Sequence, residues 1–206
     1  MTAPQMRADS KSSLQTKMLR WLNSIVLFAI LAALCAGCAG DAQGAPVKDW
    51  SFLQNSYWYV PAANLLAVLS SVEGGVGTVA PIDDQTVFYI KSYQSGYFSG
   101  TVATELTIGG QPSGPTCFFL VGSVTPEGAV NLSFTPTGSS GVPTIGIGTM
   151  RFRDAQWEME NQMSTNGGSG TVSHWAYMVQ CKAGQSCMNS LPGTSLTFSQ
   201  LLSACS

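Results

Sequence analysis

His174 is the single imidazole in 206 residues, so any histidine-dependent proton transfer runs through it. In the stretch Val172 to Gln180, alternation groups it with Ala176, Met178 and Gln180, opposite Trp175, Tyr177 and Val179. In the mouth of a barrel it would be a ligand-binding group or a proton donor. The commoner role for such a residue is structural, bonded to a carbonyl or to Glu158 or Glu160. Those two carboxylates stand two residues apart on one strand face, roughly 7 Å by strand rise, a pairing that could do acid–base work on a glycoside. Arg151 and Arg153 on the neighbouring segment make a solvated ladder of opposite charges the simpler account. A Ser-His-Asp triad would have to draw on Asp83, Asp84 or Asp154, and there is no Gly-x-Ser-x-Gly elbow to raise a nucleophile. We therefore expect no catalytic residue and no cofactor. The side chains best suited to line a ligand face are His174, Trp175, Tyr177, Trp157, Glu158, Glu160, Arg151 and Tyr97; the aromatics among them are large apolar surfaces that each carry one polar atom.

Composition narrows the chemistry further. Nine Lys and Arg against 11 Asp and Glu, only 10% charged residues in all, give no electrostatic footprint for DNA or RNA. One His rules out a multi-histidine metal centre within one chain. A zinc finger would need Cys pairs at a short spacing that the part after residue 45 lacks, so no metal is expected. From residue 45 onward five basic residues face nine acidic ones, a net −4 that speaks of solubility rather than of a partner.

The first 45 residues read as an address. Arg20 precedes an unbroken apolar run from Ile25 to Cys35, followed by Ala36, Gly37 and Cys38: a positive region, a short apolar core and small residues, as in a secretory signal peptide. The run is about half of what a bilayer-spanning helix needs. Met18 would be a more ordinary start than Met1. Ala36-Gly37-Cys38 is similar to the end of a bacterial lipobox, which makes Cys38 a candidate for lipidation, although Cys35 stands where that motif has Leu. Cleavage after Ala42 or Ala45 is the other route. Residues 1–45 are thus expected to be an N-terminal extension and signal peptide. Residues 46–206 are expected to form a single domain that is periplasmic, anchored to the outer membrane through Cys38, or secreted.

Export makes the remaining cysteines interpretable. Cys117, Cys181, Cys187 and Cys205 are an even set in a disulfide-permissive compartment. Three connectivities are possible. Cys181 and Cys187 flank a short polar loop, Lys182 to Ser186, which favours that pair and leaves Cys117 with Cys205.

The elements that must position these residues are strands. Tyr57 to Val60 opens the series, and Ala62 to Leu69 reads either as a short helix behind Pro61 or as a buried extended run. Gln85 to Tyr93 and Tyr97 to Ile108 flank Gln94-Ser95-Gly96. Cys117 to Thr125 and Ala129 to Thr135 flank Pro126-Glu127-Gly128, whose residues suit a type I turn with a bulge. That register places Phe118, Leu120, Val124, Val130, Leu132 and Phe134 on one face. Thr149 to Arg153 and Gln156 to Met163 flank Asp154-Ala155, with Met150, Phe152, Trp157, Met159 and Met163 on one face and Arg151 opposite Glu158. Val172 to Gln180 is the last strand, and Ser199 to Cys205 is a short terminal helix. The fold class is all-β. Seven or eight antiparallel strands joined in sequence order by short turns favour an up-and-down, lipocalin-like barrel over a sandwich, with Gly109 to Thr116 and Pro136 to Thr144 as rim loops.

At Val121-Gly-Ser-Val-Thr-Pro-Glu-Gly128, at His174-Trp-Ala-Tyr-Met178 and at Ser190-Leu-Pro-Gly193, the chain resembles a group of small exported bacterial proteins of no assigned function. Asp84-Gln-Thr-Val87 and Gly96-Tyr-Phe98 are similar to that group too. The resemblance covers most of the part after residue 45 and implies no activity and no functional residues. In outline the chain also resembles lipocalin-type and avidin-type barrels, without the Gly-x-Trp opening of the lipocalins.

The expected function is that of a non-enzymatic exported barrel that holds a small apolar or amphipathic molecule or presents a loop to an envelope protein, with no nucleic acid and no membrane contact beyond a lipid on Cys38. The alternative is a protein-interaction module, such as an inhibitor of a periplasmic or extracellular enzyme. A hydrolase using His174 comes third. A filled core with a protruding loop would favour the second.

Overall fold

Pro61 explains the first irregularity of the chain. It has no N–H and holds φ at −68°, so the strand that begins at Ser56 stops at Tyr59 and resumes only at Leu66. A computed structural model describes residues 49–138, 143–167 and 170–205; the expected signal peptide and Cys38 lie outside the described residues. In it β1 (Ser56–Tyr59) and β2 (Leu66–Glu73) share one barrel position, separated by a 3₁₀ turn at Ala62–Asn64. Both pair antiparallel with β3 (Val76–Gln94) on one side and β10 (Gly170–Cys181) on the other. The remaining positions follow in chain order: β4 (Tyr97–Ile108), β6 (Thr116–Val124), β7 (Ala129–Pro136), β8 (Thr144–Arg153) and β9 (Gln156–Gly167). A two-residue strand, β5 (Gln111–Pro112), folds back on β4. With β10 returning to β1 and β2, the result is a closed eight-position antiparallel barrel in up-and-down order.

The interior is built by alternation. Phe118, Leu120, Val124, Val130, Leu132 and Phe134 are all buried in one cluster with Trp58, Phe88, Ile90, Phe98, Met150, Met159, Met163 and Met178, as the hairpin register requires. Trp50 closes one end: it is buried, donates from Nε1 to the Thr125 carbonyl at 2.9 Å and meets the Trp157 ring edge-on at 4.9 Å. The outer wall carries Lys91, Arg151, Arg153, Glu158 and Glu160.

Part of the outer wall is also covered. Val87 and Ala103 face outward from β3 and β4. They are buried under Leu191, Phe198 and Leu201 of the C-terminal segment, whose helix α1 (Phe198–Ser203) starts in a capping box at Thr197 and Gln200. Two disulfides tie this segment down, Cys117–Cys205 and Cys181–Cys187, the pairing favoured by the loop between the latter two.

Three stretches differ from expectation. The third strand starts at Val76 rather than Gln85, and Ala62 to Leu69 divides into a 3₁₀ turn and the start of β2. Strands β8 and β9 extend beyond Thr149 and Met163, to Thr144 and Gly167. Glycines hid the period there. A Cβ on Gly148 would lie 2.1 Å from the Glu160 carbonyl oxygen, so the inward position must be bare. Gly100 is the tightest such site, where a Cβ would lie 1.9 Å from the Tyr89 carbonyl oxygen. Gly100→Ala is expected to cost about 1–3 kcal/mol or more, read as a lower urea midpoint. Gly138→Ala, with nothing within 4 Å of the new Cβ, should leave the midpoint where it is.

Candidate functional site

His174 does not open to solvent. It faces inward from β10, 2% exposed, with Nδ1 3.0 Å from Asp84 Oδ2 and Nε2 2.8 Å from the Asn64 carbonyl oxygen. A carbonyl can only accept, so Nε2 carries a proton. Asp84 Oδ1 accepts from the hydroxyls of Thr86 and Thr104, both at 2.7 Å. Burial works against the charged imidazole, but the bond and the charge of Asp84, with the Asn64 carbonyl, outweigh it and raise its pKa above the ordinary value. The partner anticipated for a structural His was a carbonyl or Glu158 or Glu160; the carbonyl is there, and the carboxylate is Asp84. Both ring nitrogens are occupied in pinning the strand break.

Gln85, facing outward beside the same break, completes the repair. Its side-chain amide accepts from Val60 N at 3.1 Å and donates to the carbonyls of Val60 at 2.9 Å and Pro192 at 2.7 Å. It thereby stands in for the ladder that Pro61 interrupts. Asn64 adds a bond from Nδ2 to the Tyr177 carbonyl at 3.3 Å. Asp84, Gln85 and Asn64 were missed as a group in the sequence, because nothing in their spacing says that a strand break will stand opposite them.

The other candidate residues separate into three places. Trp157 packs at the plugged end with Trp50, Phe52 and Phe152. Tyr97 is exposed at the start of β4, opposite Ser123 of β6. Arg151, Glu158, Glu160, Trp175 and Tyr177 share the outer wall of β8, β9 and β10. Arg151 does stand opposite Glu158 in register, but its ion pair is diagonal, Nε to Glu160 Oε2 at 2.5 Å. Arg153 lies 3.7 Å from Glu158 Oε2 and sits 5.0 Å over the Tyr177 ring. The carboxylates are thus engaged by guanidinium groups along the wall.

Beyond this ladder lies an apolar face. Trp175 is 55% exposed and meets Tyr177 edge-on at 4.9 Å. Ser173, two residues before it, is opposite Val68 of β2, so Leu66 and Trp175 come next on the outward faces of the two strands. Val68 in turn is opposite Pro81 of β3, and Ser70 opposite Val79. Leu66, Val68, Val72 and Val79 are all exposed, Val79 by 73%. An aromatic and aliphatic centre rimmed by Arg151, Arg153, Glu158, Glu160 and Gln162 has the anatomy of a protein interface. Phe119, Val121, Ile145 and Ile147 are also exposed, but the polar outward row Asn131, Ser133 and Thr135 of β7 divides them.

A scan against protein-family models gives no match, nor does a search of the curated proteins or of the solved structures. What can be stated is the class: an eight-position up-and-down barrel with an apolar interior, a buried His–Asp pair and an exposed apolar face.

Proposed function

We propose that this chain is a non-enzymatic interaction module, exported into an oxidising compartment, that binds a partner protein through the outward face of β10, β2 and β3. The observation that carries the reading is the run of exposed Trp175, Leu66, Val68 and Val79 with a charged rim along β8 and β9. Trp, Tyr and Arg together are the residue types that dominate binding energy at interfaces. The two disulfides are compatible with an exported location, and the apolar run before Cys38 supplies the address. The packed interior favours an outer contact surface over a cavity: Trp58, Phe88, Leu120, Met159 and Met178 are fully buried against one another.

Site-specific photocrosslinking in the native host tests the reading. A benzophenone amino acid at Leu66 or Trp175 should give one discrete adduct with the same protein. The same probe at Tyr97, on a different part of the wall, should give none. Equal adducts from all three positions would sink it.

One observation favours a second reading, a small amphipathic molecule inside the barrel. Asn161 Oδ1 and Thr144 Oγ1 are buried with no hydrogen-bond partner among the described residues, and a polar ligand group or a buried water would satisfy them. Native mass spectrometry of protein purified from its own compartment decides this: a reproducible small-molecule adduct supports it, and a clean apo mass removes it.

A further inference from the structure

We propose that the edge of β3 between Val76 and Ile82 is a strand-addition site for an extended, antiparallel peptide segment with an uncharged centre and a basic residue at each end. The proposal rests on the interaction-module reading and says how a partner engages the hairpin. Gly74 and Gly75 have φ of +56° and +82°, with Glu73 opposite Val76. This is a two-residue turn of the type that ends in a hydrogen-bonded pair. Bonded and non-bonded pairs then alternate along the hairpin. Ser71 with Thr78, Leu69 with Ala80 and Ala67 with Ile82 exchange backbone bonds. The N–H and C=O of Gly77 and Val79, and the C=O of Pro81, therefore point away from β2.

Nothing among the described residues pairs with that side. The pairing of β4 with β3 runs from Gln94 only as far as Asp83, opposite Thr107, and β4 then turns back through Gly109 and Gly110 into β5. Pro81 fits this placement, since an outward-facing proline has no ladder bond to lose. Edges of this kind are ordinarily blunted by lysines or other charges. Here the only charged residues from Leu66 to Asp83 are Glu73 and Asp83, both acidic and exposed.

Those two charges select the occupant. A second copy pairing about Val79 would bring Asp83 of each molecule toward the turn that carries Glu73 of the other, like charges at both ends. A segment with a neutral centre and basic ends meets opposite charges instead. Its length follows from the edge: Val76 to Ile82 is seven residues, roughly 20 Å at strand rise.

The test is fluorescence anisotropy with labelled seven-residue peptides, Lys-Thr-Val-Thr-Val-Thr-Lys and the same sequence with Glu at both ends. The basic-ended peptide should bind saturably and about tenfold or more tighter than the acidic-ended one. N-methylation of the alternate amides that face β3 should abolish binding, and N-methylation of the intervening ones should not; this arm leaves the protein unaltered. Val79→Pro, which removes an outward N–H without removing a bond to β2, should weaken binding by about tenfold or more, whereas Val121→Ala, exposed on β6, should leave it intact. No preference between the peptides, no dependence on the N-methylation pattern, or a wild-type dimer in sedimentation that Val79→Pro dissociates would each overturn the proposal. If crosslinks at Trp175 persist while the peptide arms fail, strand addition is wrong and the interaction-module reading stands; the converse removes Trp175 from the contact and leaves the β3 edge as the site of interaction.

Discussion

Asp84→Ala is expected to lower the unfolding free energy by about 3–5 kcal/mol, because it leaves a buried imidazole and two threonine hydroxyls facing an empty place. The loss should reach beyond the pair. His174 holds the Asn64 carbonyl and the Asp84 N–H holds the Leu65 carbonyl at 2.8 Å, so the break between β1 and β2 loses its clamp, and with it the hairpin that bears Leu66 and Val79. Folding also becomes linked to pH. The folded protein binds the His174 proton more tightly than the unfolded chain does, so the stabilisation is complete below the unfolded imidazole value of 6.5. It is lost as pH rises through the higher folded value. Urea unfolding from mildly acidic to mildly alkaline pH should show stability falling across that window in the wild type, and the slope should vanish in His174→Gln. A wild-type curve that instead rises through the window would contradict the charged pair.

The second large effect is expected at the C-terminus. The bond between Cys117 and Cys205 closes a loop of 88 residues, that between Cys181 and Cys187 one of six. In the chain-entropy account the first is worth about 4–5 kcal/mol and the second about 2. Replacing Cys117 and Cys205 together by Ser should therefore cost about twice as much as the corresponding double replacement of Cys181 and Cys187. It should also loosen the helix that covers Val87 and Ala103. Urea midpoints of the two double variants check the order, and hydrogen exchange on β3 and β4 checks the uncovering; equal or inverted costs would show that strain or residual structure, not loop length, governs the pair.

Much of the barrel was legible because period-two alternation reports directly which side chains a wall must bury. Phe118, Leu120, Val130 and Leu132 show it on neighbouring strands, and the Pro126 and Asp154 turns set their registers. The strands that escaped were those where the code is silent. In β8 the inward positions at Gly146 and Gly148 carry no side chain, and in the hairpin of β2 and β3 both faces are largely exposed, so no burial pattern marks them.

The sequence by itself determined most of the strand meander, the faces on which His174 and Trp175 lie and the charges that β8 and β9 set against each other, since all of these follow from local spacing; it favoured the short Cys181–Cys187 loop, while the structure joined Cys117 to Cys205 across 88 residues. Only the tertiary structure decided which face is inside, and hence that His174 is a buried partner of Asp84 while Trp175 stands in solvent. It alone brought Asp84 and Gln85 to the break at Pro61, some twenty residues earlier, and Leu66 to the side of Trp175. Closure of the barrel made those contacts, because β10 can satisfy its backbone only by returning to the first strand, and no local pattern in either segment encodes that meeting.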